Sequence, residues 1–300
     1  MKILAAVVTH NRKTLLTRCL AGIAAQSRPA DGVFVVNNAS TDGTAEMLAE
    51  AGIAHVTQPN LGSAGGWKRC IDEALAGDWD AIWLMDDDGY PHPDALGFLE
   101  SSLTRGVSCV SSTVVCEDDP DRFVFPFPIL TTDGLPVLFS RRRKVTHLSA
   151  LRSLADGDTY PFAHLFNGAL VDVATIRRIG NVNTDFFLMG DEVDFFMRMR
   201  TVGPVLSDLR ALHLHPDVSG RPLNDVKVYY YVKNTLILNQ RYFDHRWIRN
   251  AAAVVAALVR TGRRNGAGEA LSYITGSQRH LLAKAVRRGL DGRIGKDMHD

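Results

Sequence analysis

Three consecutive carboxylates, Asp86, Asp87 and Asp88, directly follow the apolar run at residues 81–85. A short apolar run bounded by turn residues is typical of a buried strand, so these acids stand at a strand end. Adjacent carboxylates repel one another unless a cation lies among them, and Mg²⁺ and Mn²⁺ prefer carboxylate oxygens together with a substrate's phosphates. This acidic triplet therefore indicates a divalent-cation site; the alternative interpretation is a solvated acidic loop.

A second acidic cluster, Asp191, Glu192 and Asp194, follows the apolar residues 186–189 at a predicted helix start. Carboxylates at such a position offset the helix dipole and cap its free amide groups. Apolar surroundings would also raise the pKa of a carboxyl group, which suits a general base. The sequence leaves both interpretations open.

Two histidines, His213 and His215, stand two residues apart in a predicted strand and so point to the same face. A histidine within reach of the acidic triplet could ligate the cation held there. The alternative is a pair of hydrogen-bonded loop histidines, and the pattern does not decide which of the two would be a ligand.

The elements that would position these residues alternate between strand and helix. Strands are predicted at residues 2–8, 33–36, 53–56 and 81–85, and helices at 15–23, 45–51, 67–76 and 91–103. Such repeats are typical of βαβ units on a parallel sheet, where ligands bind outside the carboxyl ends of the strands. The polar loops at Thr9, Asn37, Asn60 and Asp86 all fall at that edge, so a binding site is expected there unless they are turns alone.

The rest of the chain is less regular in sequence. Strands are predicted at residues 107–115, 167–173, 204–206 and 209–215, and helices from residue 224 onward, including 247–259 and 271–286. Four prolines make segment 117–160 irregular, either an acceptor-side loop or a solvated insertion. We therefore divide the chain into a catalytic domain at 1–222 and a helical region at 223–300, which would contact an acceptor, a membrane surface or another subunit.

Charge is distributed unevenly. From His245 onward the chain carries eleven Lys or Arg and four Asp or Glu, a net +7, whereas residues 1–244 carry 23 and 29, a net −6. Basic helices with apolar faces indicate contact with an anionic membrane surface. The alternative is a helical cap on the sheet domain or on a second subunit, as in a homo-oligomer. No nucleic acid partner is expected.

Four cysteines without CxxC spacing, Cys19, Cys70, Cys109 and Cys116, suggest free thiols. No signal peptide is recognised, and no apolar run approaches the length of about 20 residues that a membrane-spanning helix needs. We expect a cytoplasmic protein, peripheral on the inner face of the cytoplasmic membrane if the basic helices bind there.

Several motifs in order give the sequence a resemblance to the family 2 glycosyltransferases, inverting enzymes with a GT-A fold. They extend from residue 1 to about residue 220 and comprise VTHNR at 8–12, VNNASTDGT at 36–44, NLG at 60–62, the acidic triplet, GDEVD at 190–194, and His215 with Ser219 four residues later. Within the family the sequence most resembles the galactofuranosyltransferases and rhamnosyltransferases of the bacterial cell envelope. The stretch NLGSAGG at 60–66 is similar to the galactofuranosyltransferase version.

The resemblance implies an α/β fold with a Rossmann-like, mostly parallel sheet and a C-terminal helical extension. It implies metal-dependent transfer of galactofuranose from UDP-galactofuranose to a glycan or lipid-linked glycan acceptor, with inversion. Nucleotide contacts would come from Thr9, Arg12, Asn38 and Asn60, with Asp86 or Asp87 near the ribose and phosphates. Mn²⁺ or Mg²⁺ would be held by Asp86, Asp88 and His215.

The resemblance also places the catalytic base in the second acidic cluster. The family's base usually falls on the second acid of a pair, and that position is Glu192 here rather than an aspartate. The residue that accepts the proton is therefore Glu192 or its neighbour Asp191. The family's frequent Asp at position 37 is replaced by Asn37, so the contact to the base of the nucleotide is expected to differ there.

Three other functions compete with this one. A rhamnosyltransferase would use dTDP-rhamnose. A sugar-phosphate nucleotidyltransferase should have a Gly-rich, Arg-containing phosphate loop after its first strand, and the THNR sequence at 9–12 is not such a loop. A non-catalytic nucleotide-sugar binding protein would not need both acidic clusters.

Overall fold

A computed structural model describes residues 1–298 of the chain. They form two compact units. The first contains Met1–Val182 and Phe195–Asp217; the second contains Asn183–Asp194 and the chain from Val218 onward.

The first unit is built on a sheet of eleven strands within the described residues. The strands are β1 (Ile3–Thr9), β2 (Gly32–Asn37), β3 (Ala54–Thr57), β4 (Ala81–Asp86), β5 (Tyr90–Pro91), β6 (Cys109–Cys116), β7 (Asp119–Pro128), β8 (Lys144–His147), β9 (Thr159–Tyr160), β10 (Asn167–Asp172) and β11 (Val205–His215). Its helices are α1 (Lys13–Ala24), α2 (Thr44–Glu50), α3 (Gly62–Ala76), α4 (Ala95–Ser102), α5 (Leu148–Arg152) and α6 (Val173–Ile179).

The strand order explains how the polar loops meet. The sheet runs β3-β2-β1-β4-β10-β6-β11-β5, with β7 on β6, β8 on β7 and β9 on β11. The first four strands are parallel, and β10 runs antiparallel between β4 and β6. The register pairs Val8 with Asp86 and Thr9 with Asn37, so β1, β2 and β4 end at one edge. The α/β prediction with its parallel strands is confirmed.

Both faces of the sheet are buried, which is why β1 is continuously apolar. Leu4, Ala6 and Val8 pack with Trp67 and other residues of α3 on one face. Ile3, Ala5 and Val7 pack on the other face with the buried residues of α1, namely Leu16, Cys19 and Ile23. Side chains alternate across a strand, so a strand covered on both faces needs an apolar residue at every position. All four cysteines are free thiols and buried.

The prediction of an irregular segment at 117–160 is wrong at both ends of the segment and holds for residues 129–143, between β7 and β8. The segment contains β7, β8, α5 and β9, whose buried residues include Phe123, Phe127 and Leu148 in one apolar cluster. Pro120 and Pro126 stand where the pairing register of β7 shifts, so neither interrupts a regular ladder. Prolines in a strand therefore misled the prediction.

Other boundaries also differ. The strands predicted at 204–206 and 209–215 form the single strand β11, which contains a register shift between Asp208 and Leu212. The helix predicted at 91–103 begins only at Ala95, because Tyr90 and Pro91 pair with β11. Both differences arise from pairing between residues far apart in sequence.

Helices dominate the second unit. After a 3₁₀ turn at Thr184–Phe186, helix α7 (Asp191–Met199) begins in this unit, and α8 (Asp225–Tyr242), α9 (Arg246–Asn265), α10 (Ala267–Thr275) and α11 (Arg279–Leu290) follow. The helix predicted at 271–286 is thus two helices. A Cβ at Gly276 would lie 2.8 Å from the Cα of Ser272, so the chain turns at a residue without a side chain. None of the helices described is long and apolar enough to cross a bilayer.

Candidate active site

The acidic triplet is balanced by side chains from the end of β1. Nη1 of Arg12 lies 2.9 Å from Oδ1 of Asp87 and 2.9 Å from Oδ2 of Asp88. The hydroxyl of Thr9 donates to Oδ2 of Asp87 at 2.6 Å. Burial raises the pKa of Asp87, while the Thr9 hydrogen bond and the Arg12 charge act in the opposite direction. Two buried carboxylates therefore share one guanidinium at the edge where the sequence predicted a binding site.

His215 contacts the triplet directly. Its Nε2 lies 2.9 Å from Oδ1 of Asp88, and its Nδ1 lies 2.6 Å from the carbonyl oxygen of Pro216. A carbonyl only accepts, so Nδ1 carries the hydrogen, and Nε2 of a neutral ring turns its lone pair toward the carboxylate. Two acceptors that face each other need a proton or a cation between them. A backbone carbonyl on the other ring nitrogen is also how metal-binding histidines are commonly oriented.

The predicted metal ligands come together only in part. Asp88 and His215 are in contact, and Asp86 ends β4 two residues before Asp88. No group of three or more His, Cys, Asp or Glu side chains within residues 1–298 is arranged to hold a metal ion. The donor types do fit, because Mn²⁺ and Mg²⁺ bind carboxylate oxygens and Mn²⁺ also accepts imidazole nitrogen. A neutral His215 ring would face Asp88 with a lone pair, and a cation between the two would relieve that repulsion.

His213 is placed differently from His215. It is fully buried, and burial lowers its pKa to about 3, so the ring is neutral at pH 7. Neither ring nitrogen has a hydrogen-bond partner among the residues described. A Cβ at Gly89 would overlap Nε2 of His213, so the turn after the acidic triplet lies directly against this ring. Of the two histidines, His215 is the one that contacts Asp88.

The loops after β2 and β3 meet at the start of α3. Gln58 donates to Oδ1 of Asn38 at 2.8 Å, and Nδ2 of Asn38 donates to the Gly62 carbonyl at 3.3 Å. Oδ1 of Asn60 accepts from the Gly62 amide at 3.0 Å. A Cβ at Gly66 would lie 3.0 Å from Nδ2 of Asn38, so this glycine leaves room for the amide. The sequence reasoning missed Gln58, although a polar residue directly after a strand was a usable signal.

The second acidic cluster lies at the first turn of α7, as predicted, but Asp191 and Asp194 differ in their hydrogen-bond partners. Asp191 is only 4% exposed, and burial, together with the charge of Glu192, raises its pKa to about 7. Its Oδ2 has no hydrogen-bond partner within residues 1–298. Asp194 instead accepts a hydrogen bond from the Tyr242 hydroxyl at 2.7 Å. Asp191 is therefore a carboxyl group that exchanges a proton near neutral pH, and Asp194 is tied to α8.

The turn that precedes Asp191 has an unusual backbone. Phe187, Met189 and Gly190 have φ values of 55°, 61° and 108°, and such left-handed conformations cost a non-glycine residue about 1–3 kcal/mol each. Nδ2 of Asn234 donates to the carbonyls of Phe186, Leu188 and Met189 at 3.0, 3.0 and 2.6 Å. This one buried amide holds the strained turn. Sequence reasoning missed Asn234, whose only signal is a polar residue within the apolar stretch of α8.

Together these features support two kinds of chemistry. Arg12 and a cation at Asp88 and His215 can bind and neutralise a diphosphate. A carboxyl group whose pKa lies near 7 can take a proton from a hydroxyl at neutral pH.

Comparisons with known proteins identify a family model and relatives that this chain matches. Residues 5–151 match the model of the family described as glycosyl transferase family 2. The chain is 35% identical over 219 residues to "Galactofuranosyltransferase GlfT1" of Mycolicibacterium smegmatis. The matched region covers 71% of this chain and 70% of that protein. It is 36% identical over 223 residues to the protein of the same name from Mycobacterium tuberculosis, with the same coverage.

Solved structures with the same fold extend over nearly the whole chain. S. aureus TarS 1–349 matches with a TM-score of 0.57 and 13% identity, over 98% of this chain and 81% of that one. The mannosyltransferase PcManGT from Pyrobaculum calidifontis, in complex with GDP-Man and Mn²⁺, matches with a TM-score of 0.56 and 16% identity, over 97% and 87%. At these identities the likeness establishes the fold.

Proposed function

The chain belongs to the family 2 glycosyltransferases, with a GT-A fold, and we propose that it transfers galactofuranose from UDP-galactofuranose to a glycan or lipid-linked glycan acceptor. The observation that carries the choice of sugar is its identity of 35–36% over about 220 residues with two proteins named galactofuranosyltransferase. The acceptor would belong to a cell-envelope polysaccharide.

On the donor side, each loop at the sheet edge has a role. Thr9, Arg12, Asn38 and Asn60 bind the nucleotide, with Asp86 or Asp87 near its ribose and phosphates. Asp86, Asp88 and His215 would hold Mn²⁺ or Mg²⁺, and such a cation would supply positive charge beside the departing diphosphate. Solved proteins of this fold in complex with GDP-Man and Mn²⁺ or with UDP support this assignment.

On the acceptor side, a carboxylate of the second acidic cluster removes the hydroxyl proton. Asp191 is the residue that the structure favours, because its raised pKa of about 7 suits a base at neutral pH. Glu192, which occupies the family's usual position for the base, is the alternative. All the residues with these roles lie in 1–222, which we take as the catalytic domain.

The test is a transfer assay with the purified chain, Mn²⁺ and a synthetic galactofuranose-terminated acceptor. We expect mass spectrometry to detect addition of one hexose from UDP-galactofuranose, and no addition from dTDP-rhamnose. Transfer from dTDP-rhamnose alone would make the protein a rhamnosyltransferase. Binding of UDP-galactofuranose without transfer or hydrolysis would make it a binding protein. A thermal-shift screen of nucleotide sugars with and without Mn²⁺ identifies the donor independently, since a cognate ligand raises Tm.

A further inference from the structure

A second part of the chain contacts the strained turn of the second unit, in addition to α8. It is the segment 291–298, which follows α11 and belongs to the same unit. The amide of Gly295 donates to the carbonyl oxygen of Asp185, at the start of the turn, at 2.7 Å. The ammonium group of Lys296 lies over the ring of Phe187, 5.0 Å from its centroid. The segment therefore contacts both the backbone and a side chain of this turn.

A buried ammonium group fixes the segment to α8. Lys233 is fully buried, and its Nζ donates to the Gly295 carbonyl and to Oδ1 of Asp297, each at 2.7 Å. Nη1 of Arg288 donates to Oδ2 of the same carboxylate at 2.8 Å. Burial acts to raise the pKa of Asp297, but the hydrogen bonds and charges of Lys233 and Arg288 outweigh it, so this pKa lies below its ordinary value. The carboxylate is therefore charged at pH 7, and loss of a partner would leave a buried charge uncompensated.

Two tyrosines of α8 connect this ion network to the turn. The hydroxyl of Tyr229 donates to Oδ1 of Asp297 at 3.1 Å, and the hydroxyl of Tyr230 accepts from the Asp297 amide at 3.1 Å. The ring of Tyr230 also packs against that of Phe187, with 5.3 Å between the ring centroids. Asp297 is thus bound through its backbone as well as its side chain, within contact distance of groups that touch the turn.

We propose that Asp297 is a positioning residue for Asp191, because segment 291–298 holds the turn that leads to this carboxyl group. Lys233 and Asn234 are neighbours on α8, and both serve the turn. Asn234 binds its carbonyls directly, whereas Lys233 acts through the segment. The inference rests on the proposed role of Asp191 as the base, and it adds a support for that base from a distant part of the chain.

The strain in the turn explains why such a support matters. Phe187 and Met189 have left-handed backbone conformations, which persist only where the surrounding structure holds them. Once the segment is released, the turn should relax and water should reach Asp191. A displaced base lowers kcat without weakening donor binding. Burial is the largest cause of the raised pKa of Asp191, so hydration should lower this pKa even though the charges of Glu192 and Asp194 still act on it.

The first test is the variant Asp297→Asn. The amide keeps the size of the side chain but removes the charge that Lys233 and Arg288 share. We expect kcat to fall about tenfold or more while KM for UDP-galactofuranose stays nearly constant. The acidic limb of the pH profile should move to lower pH. A segment that only stabilised its unit would lower Tm and leave kcat and the pH profile unchanged.

The second test is Gly295→Ala, which leaves the ion network intact. Gly295 has a φ of 110°, and no described residue beyond its chain neighbours lies within 4 Å of an added Cβ, so alanine strains the backbone without a clash. Gly292→Ala is the matched control. Gly292 has a φ of 70° and equally open space, but its amide donates to the Gly289 carbonyl rather than to the turn. We expect kcat to fall about tenfold in Gly295→Ala and to be unchanged in Gly292→Ala.

Hydrogen exchange measures the hold on the turn without any assay of transfer. Peptides that cover residues 185–191 should exchange about tenfold faster in Asp297→Asn and Gly295→Ala, but not in Gly292→Ala. Unchanged exchange, or faster exchange with unchanged kcat and pH profile, would overturn the inference. Should the unaltered chain transfer no sugar, the proposed function fails, and equal exchange in all three variants would still overturn this inference. If Asp297→Asn does not fold, Gly295→Ala and its control decide the outcome.

Discussion

The two acidic clusters of this enzyme both contain buried aspartates, but the surroundings of Asp87 and Asp88 differ from those of Asp191. In the acidic triplet, Asp87 and Asp88 are buried but share the positive charge of Arg12, and Asp87 also accepts a hydrogen bond from Thr9. In the second acidic cluster, Asp191 is just as buried, yet its Oδ2 has no partner among the described residues. Burial raises the pKa of both Asp87 and Asp191, and the surroundings decide whether partners such as Thr9 and Arg12 oppose that rise.

The largest effect on transfer is expected from a substitution of Asp88 in the acidic triplet. Asp88→Ala removes the carboxylate that contacts both Arg12 and His215. We expect transfer to fall about a thousandfold or more, since a metal ion supplies several kcal/mol of stabilisation to the departing group. The measurements are the transfer rate and the Mn²⁺ dependence of UDP binding by calorimetry. Asp94→Ala, at an exposed carboxylate, is the control; unchanged Mn²⁺ dependence in Asp88→Ala would refute the metal assignment.

The opposite kinetic pattern is expected in the second acidic cluster. Asp191→Asn keeps the size of the side chain but cannot accept a proton, so kcat should fall about 10²–10⁴-fold while donor binding stays intact. Glu192→Gln should have a smaller effect. If Glu192→Gln loses turnover and Asp191→Asn keeps it, the base is Glu192.

The pH profile sharpens this assignment. Asp191 is protonated below its pKa of about 7, so transfer should fall as the pH drops below that value. In Asp191→Asn this acidic limb should disappear. A limb that persists unchanged in Asp191→Asn belongs to another group.

The substitution Asp191→Asn should lower kcat but raise the free energy of unfolding. The pKa of Asp191 is raised on folding, so between about pH 4 and pH 7 the unfolded chain has lost the proton that the folded chain keeps, and stability falls as the pH rises. Asp191→Asn removes this cost. We expect it to be more stable than the unaltered chain by about 4 kcal/mol at pH 8, with little difference at pH 4, in urea unfolding.

The smallest effect is expected at Asn234. Asn234→Ala leaves the carbonyls of the strained turn without their donor, so the turn before Asp191 should loosen. We expect kcat to fall about tenfold and stability by about 1–3 kcal/mol. Gln240→Ala, which removes another side-chain amide of α8 that bonds to backbone carbonyls, is the matched control: it should lose stability but not kcat.

The parts of the fold that the sequence predicted are those fixed by local pattern. β1 to β4 alternate with helices, and their polar loops end at one edge because parallel strands require it, so Thr9 and Asp86 could be assigned to that edge. The pairing of β7 with β8 and the contact of Asn234 with residues 186–189 involve distant partners. No local pattern encodes them. The hydrogen bond that distinguishes Asp194 from Asp191 likewise comes from Tyr242, which is remote in sequence.

The contact between Gly89 and His213 bears on how this enzyme can evolve. A methyl group at position 89 would overlap the imidazole, and the ring is enclosed on its other side by Gly168, where a Cβ would lie 3.3 Å from Nδ1. Substitutions at 89 and 213 should therefore be epistatic: a smaller residue at 213 relieves the main overlap of alanine at 89, and its remaining close contact is the Leu214 carbonyl oxygen at 3.0 Å. Any redesign of the turn that carries Asp88 has to change both positions together.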